Sequence, residues 1–173
     1  TRVCGNYLFL LTSDNWVQHI PGLSAEQNLP ACTFSENEIA AAINEAGDKS
    51  FGIKKVVQTV INYQVYLNTD MIESAGKNVG AVKELVIKIL KKQPYIIAAF
   101  ATADIATTAL PSSQKEMIIN GYNPKRSGDI QFTFKPGYFD GGIKGTTHGL
   151  WNPYDAHIPL VWFGWKVKQG KSN

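Results

Sequence analysis

Histidine and cysteine are scarce in this chain, with three of the first and two of the second among 173 residues. Two cysteines cannot build a disulfide framework, and Cys4 and Cys32 lack the short spacing of a thiolate metal site. They form one bridge in an oxidising compartment or remain two buried thiols, the commoner fate of free cysteine. Long apolar runs are missing too. None approaches the roughly 20 residues that cross a bilayer, so no membrane span is expected. Basic runs are equally short. The formal charge is +3 and no Lys/Arg run exceeds the Lys91-Lys92 pair, which argues against a nucleic-acid partner. No glycine-rich phosphate loop, HExxH, GxSxG or Cys–His nucleophile pattern occurs. The chain also begins without an initiator Met or a signal peptide, directly before a buried-strand pattern, and is expected to be cut from a longer protein.

Hydrophobic residues make up 44% and charged residues 18%, the balance of a globular chain with a real core. The stretch "NYLFLLTS" (6–13) is a continuous apolar run, the pattern of a strand buried on both faces in a mostly parallel sheet. Asp14 and Asn15 follow at its C-terminal end, where open α/β sheets place their ligands. Residues 16–34 are irregular, broken by Pro21-Gly22 and Pro30.

Ser35 and Glu38 predict a capping box. Ile39, Ala42, Ile43 and Ala46 then form one helical face, and Gly47 stops the helix. Residues 56–62 and 64–68 predict a hairpin around Asn62-Tyr63. Val79, Val82, Leu85, Val86, Ile89 and Leu90 recur at helical spacing before Pro94. A strand is expected over 95–101, and a short helix from Thr102 to Leu110-Pro111. Another helix is expected to start at a Ser113/Glu116 capping box and end at Gly121. In "DIQFTFKPG" (129–137), Ile130, Phe132 and Phe134 alternate with Gln131, Thr133 and Lys135, predicting a half-buried antiparallel strand.

The middle of the chain thus predicts a compact α+β subdomain with a one-sided antiparallel sheet, inserted into a larger α/β core. Its expected limits are 20–140. Residues 1–19 and 141–173 supply the core strands, an arrangement that brings Asp14 and His148 to one sheet edge.

His148 is the residue that invites a chemical reading. It lies between Thr147 and Gly149 in "KGTTHGLWNPYDAH" (144–157), where no neighbour offers bulk to pack against. Asp and His together suit zinc. The plainer alternatives are a turn-forming Asp14 and a tight-turn role for the glycines around His148. His19 is assigned to a loop or the surface. His157 either supports a ligand or caps the strand that starts at Ile158. Lys125-Arg126 form a solvated loop or, less commonly, a phosphate contact, and "FKPGYF" is read as turn packing.

The strings "YLFLLTSDN", "INGYNPKRSGDIQF", "KPGYF" and "KGTTHGLWNPYDAHIPLVWFGW" together resemble the C-terminal part of the alkaline phosphatase superfamily. The branch is that of the PafA-like phosphate-irrepressible enzymes, akin to nucleotide pyrophosphatase/phosphodiesterases. The resemblance runs through nearly the whole chain and implies an alkaline-phosphatase-like three-layer α/β sandwich, present here as a fragment. It implies a periplasmic or secreted hydrolase of phosphate monoesters with two zinc ions and a phospho-Thr/Ser intermediate. By the same resemblance, His148 is the last histidine ligand of the leaving-group-side zinc, and Asp14 is the aspartate ligand of the nucleophile-side zinc.

One position departs from the family. Its strand-end motif is Thr-Ala-Asp-His, whereas this chain has Thr12-Ser13-Asp14-Asn15, and an amide oxygen is a poorer zinc donor than imidazole. The nucleophile and remaining ligands lie upstream in the family. The chain alone is therefore expected to be inactive, with the missing N-terminal part of the same protein as its partner. The alternatives are a phosphatase-fold binding protein that lost catalysis, and a phosphodiesterase or sulfatase of the same superfamily.

Overall fold

The computed structural model describes residues 32–141, 151, 152 and 170. In chain order these hold β1 (Cys32–Phe34), α1 (Glu36–Phe51), β2 (Val57–Ile61), β3 (Gln64–Leu67), α2 (Thr69–Ser74) and α3 (Val79–Lys91). They continue with β4 (Ile96–Ala101), a 3-10 turn (Thr102–Asp104), α4 (Ser112–Gly121), β5 (Ile130–Phe134) and β6 (Tyr138–Asp140). Four strands form one sheet in the order β2-β3-β5-β4, with every neighbouring pair antiparallel. α1 lies against β2, α3 against β4, and the two helices touch each other. The result is a helix layer on a sheet, and the α+β character expected for the middle of the chain is present.

Each edge strand carries one irregularity. Between Val57 and Thr59 the register shifts, so Val57 and Val60 both face the helices opposite Leu67 and Val65. A second shift between Ile96 and Ala98 throws Ile97 outward, 59% exposed, while Ile96 and Ala99 stay in the core. Bulges on edge strands break the flat hydrogen-bonding edge that another chain could extend.

The helices obey the apolar spacing. Val82, Val86 and Leu90 of α3 are fully buried four residues apart, and Asn78 caps its start by accepting the Ala81 N–H at 3.0 Å. α1 begins after Ser35 as expected, but the Ser35 side chain makes no cap bond. Its buried positions are Ile39, Ile43 and Gly47; Ala42 is exposed. Gly47 does not stop the helix. It sits inside α1 at a crossing so close that a Cβ there would lie 2.1 Å from Val56 Cγ2. The stop comes at Gly52, whose φ of 71° ends the helix in the left-handed region.

Three other expectations differ from the structure. The segment after β4 forms a single 3-10 turn in place of a helix reaching Leu110, with Thr107 and Thr108 both bonded to the Asp104 carbonyl. Ser113 lies within α4, not ahead of it, and α2 was not anticipated. β5 pairs antiparallel on both sides as the alternation suggests, yet all five residues are buried. β5 is flanked on both sides in the sheet, by β3 and β4, and the loop that precedes it is bonded to β3. From that loop the Gly128 N–H donates to Gln64 Oε1 at 2.6 Å, and the Arg126 carbonyl accepts the Tyr66 hydroxyl at 3.0 Å.

Candidate functional site

Two three-residue strands bring distant parts of the chain together. β1 and β6 pair in parallel, with Cys32 opposite Tyr138, Thr33 opposite Phe139 and Phe34 opposite Asp140. Hydrogen-bonded strands lie about 4.8 Å apart. Entry to the α+β unit and exit from it are therefore side by side, and the residues that adjoin both flanks share one place on the fold.

Aromatic rings fill the space behind this joint. Phe34 of β1 stacks on Tyr95 at 5.5 Å and meets Phe134 edge-on at 5.1 Å. Tyr138 of β6 also stacks on Tyr95, at 5.7 Å. Trp151 adds a ring from beyond β6, 5.6 Å from both Tyr63 and Phe134. Such pairs contribute about 0.5–1.5 kcal/mol each beyond area burial. Segments separated by more than a hundred residues thus share one aromatic core.

Tyr63 occupies an unusual backbone position. It and Asn62 form the two-residue hairpin turn at φ 63° and 50°, the doubly left-handed geometry that matches strand twist. Gly, Asn and Asp are the usual occupants there; an aromatic residue is strained. The position is held from every side. Its N–H donates to Glu36 Oε1 at 2.9 Å. Its carbonyl accepts from the Phe132 N–H at 3.1 Å and from Gln131 Nε2 at 2.9 Å.

Glu36 is half-buried, and loss of solvent pushes its carboxyl above the usual glutamate range. The Tyr63 N–H bond opposes that rise, and the nearby Asp140 carboxylate adds to it. Asp140 Oδ1 also accepts the Glu36 backbone N–H at 3.4 Å, tying the start of α1 to the end of β6. Trp151 Nε1, Thr102 Oγ1 and Thr133 Oγ1 are buried and have no hydrogen-bond partner among the described residues.

Asp14, Asn15 and His148, the residues singled out for metal binding, lie outside the described residues, as do His19, His157 and Cys4. Among the described residues no three His, Cys, Asp or Glu side chains converge as a metal site, and no helix is long and apolar enough to cross a membrane. Lys125 and Arg126 are exposed on a turn whose bonds run between Asn123 and Ser127, as a solvated loop requires. The "FKPGYF" turn is packing, through Phe134 and Tyr138.

Sequence reasoning missed the joint and the roles of Tyr63, Glu36 and Trp151. Trp151 did carry a signal, being a large ring among glycine, asparagine and proline. Tyr63 carried none, because its geometry depends on groups far along the chain.

No family model matches the chain. The alkaline phosphatase PafA of Elizabethkingia meningoseptica is 38% identical over 170 residues, covering 98% of this chain and 31% of that enzyme. Alkaline phosphatase PhoV of Synechococcus elongatus is 33% identical over 181 residues, covering 98% and 30%. A Myroides odoratus protein named calcium-transporting ATPase is 41% identical over 170 residues, covering 97% and 31%. The crystal structure of wild-type PafA superposes with a TM-score of 0.83 at 36% identity, over 90% of this chain and 29% of that one. A multiply substituted PafA variant superposes with a TM-score of 0.78 at 37% identity. The chain spans about three tenths of the length of the curated relatives it matches.

Proposed function

From the premise that this chain corresponds, in sequence and fold, to part of the PafA-like branch of the alkaline phosphatase superfamily, we propose that it is the C-terminal segment of a metal-dependent phosphatase. The intact protein hydrolyses phosphate monoesters through a phospho-Thr or phospho-Ser intermediate, in the periplasm or outside the cell. The observation that carries this reading is the match to PafA along 98% of the chain, together with the fold agreement at a TM-score of 0.83.

Within that protein, residues 20–140 are an inserted α+β unit, and 1–19 and 141–173 belong to the catalytic core. The parallel pairing of β1 with β6 supports this division, because an inserted unit must leave its host beside the point where it entered.

Asp14 and His148 are assigned to two different zinc ions, with Asn15 as a doubtful third donor. A carboxylate and an imidazole fit zinc; the Asn15 amide does not fit well. When bound, the two ions supply charge stabilisation for the attacking and leaving oxygens. This chain contributes one good donor to each ion, below the three protein donors a catalytic zinc needs. The segment alone is inactive on that ground.

The test has two parts. The isolated chain should not hydrolyse p-nitrophenyl phosphate, and the intact protein should do so in a chelator-sensitive way. Chelator-sensitive turnover by the isolated chain overturns the segment reading, and an inert intact protein overturns the phosphatase reading.

A second reading rests on Asn15. Loss of the family histidine would leave a phosphatase-fold binding protein. Asn15→His in the intact protein separates the two: if it creates turnover that the unaltered protein lacks, the second reading holds. Choice of ester is decided by comparing a monoester, a diester, a sulfate ester and ATP. ATP is included because of the relative named as an ATPase.

A further inference from the structure

We infer that α4 carries a docking surface, Met117 and Ile119, for the N-terminal part of the intact protein that lies outside this chain. The inference rests on the reading of the chain as a C-terminal segment, and it names a face by which that segment meets the rest.

α4 is short and bare. It has ten residues, none of them buried, and its N-cap Pro111 makes no side-chain cap bond. Isolated helices below about 12–15 residues are marginal in water and take their stability from an apolar face packed on a neighbour. Met117 and Ile119 are 44% and 46% exposed, and Ile118 between them is only half-buried. At 3.6 residues per turn, three consecutive side chains fan over about 200°, wider than the stripe a single neighbour covers. Met117 and Ile119 therefore call for a neighbour that the described residues do not supply.

Both ends of the helix are nonetheless held. Ahead of it, the Asp104 carbonyl accepts the N–H and hydroxyl groups of Thr107 and Thr108. Behind it, the Asn123 carbonyl accepts the Arg126 and Ser127 N–H groups at 3.0 and 2.8 Å, and Asn123 Oδ1 accepts the Lys125 N–H at 2.9 Å. That loop is pinned to β3 so closely that a Cβ on Gly128 would stand 2.8 Å from Gln64 Cβ. A helix tied at both ends and open along its apolar side is positioned to be covered. Lys125 and Arg126 are exposed just beyond it, with no ion pair among the described residues. The face that fits is apolar with carboxylates at its rim.

Size decides the occupant. Two apolar side chains fall far short of the roughly 800 Å² per partner that a stable interface between separate chains buries, which argues against a second copy. A partner joined through the same polypeptide is present at about millimolar effective concentration, where a small patch suffices. The relatives this chain matches are about three times its length, so a protein of that length holds such a partner.

The experiment compares hydrogen–deuterium exchange over Lys115–Gly121 in the 173-residue chain and in the intact protein, with α3 as the internal control. The helix should exchange at least about tenfold more slowly in the intact protein, while Val82–Leu90 is slow in both. Equal rates in the two proteins overturn the inference, as does a helix already as protected as α3 in the chain. Protection that grows with protein concentration assigns the patch to a second copy and also overturns it.

Met117→Lys combined with Ile119→Lys removes the patch. In the chain it should shift Tm by no more than about 2 °C, and in the intact protein it should return the helix to the exchange rate of the chain. Retained protection overturns the inference. If the lysine pair keeps the intact protein from folding, Met117→Gln with Ile119→Gln is read by the same criterion. Turnover of p-nitrophenyl phosphate is scored apart. An active intact protein with α4 unprotected sinks the docking surface and keeps the phosphatase reading, and an inert one with α4 protected does the reverse.

Discussion

Gly47 offers the sharpest test of how the α+β unit is put together. Its substitution by alanine brings two opposed effects. Alanine in a helix interior is favoured over glycine by about 1 kcal/mol. Against this, the new Cβ would sit 2.1 Å from Val56 Cγ2, 3.1 Å from Val56 Cβ and 3.4 Å from the Ile53 carbonyl. Val56 has no exposed surface, and its branched Cβ leaves few rotamers to escape into. α1 must therefore lift from the sheet, or Val56 must leave its well. Overpacking of this kind costs about 1–3 kcal/mol, and a contact this short belongs at the upper end.

The net expectation for Gly47→Ala is a loss of about 1–2 kcal/mol, or a fall in Tm of roughly 2–8 °C for a chain of this size. Urea unfolding measures it as a lower midpoint at constant slope. Adding Val56→Ala should recover part of the loss, because it removes the atoms that clash, and the double-mutant cycle isolates that coupling. A Gly47→Ala chain as stable as the original, or more stable, would refute the close crossing of α1 and Val56. It would also remove the reason for glycine at this position.

Other outcomes follow from the same contacts. Asp129 accepts the Leu67 N–H through Oδ2 and pairs with Lys83 through Oδ1, both at 3.0 Å. Asp129→Ala should cost about 2–3 kcal/mol, Asp129→Asn less because its oxygen can still accept, and Lys83→Ala under about 1 kcal/mol. Equal losses for Asp129→Ala and Lys83→Ala would show that the ion pair, not the backbone bond, matters. For Glu36, burial raises the folded-state pKa, so the folded protein holds that proton more tightly than the unfolded chain. Its contribution is full below the ordinary glutamate value and is lost as pH rises through the raised folded value. Glu36→Gln keeps an acceptor for the Tyr63 N–H and cannot ionise. It should match the original at acid pH and exceed its stability at neutral pH by less than about 1 kcal/mol, read as a Tm difference across the pH range. A Glu36→Gln chain less stable at neutral pH contradicts the dominance of desolvation. If the proposed assignment of Asn15 beside a zinc ion is right, Asn15→His in the intact protein should tighten zinc binding, measured by chelator competition; unchanged affinity would remove Asn15 from the proposed site.

Periodicity in the sequence was enough to determine α3, the hairpin at Asn62-Tyr63 and the antiparallel character of β5. Helical and strand spacing is a local property that survives without knowledge of neighbours. The same is true of the family motifs, whose order along the chain pointed to a phosphatase segment before any fold was known. Only tertiary structure decided that Gly47 is a packing contact and not a stop, because the deciding atom belongs to Val56. Only it buried both faces of β5, since exposure depends on what the rest of the chain folds against the sheet. The joint between β1 and β6 was out of reach of the sequence for the same reason. Three-residue strands paired across a hundred residues carry no period, and their stability comes from partners that only folding brings near.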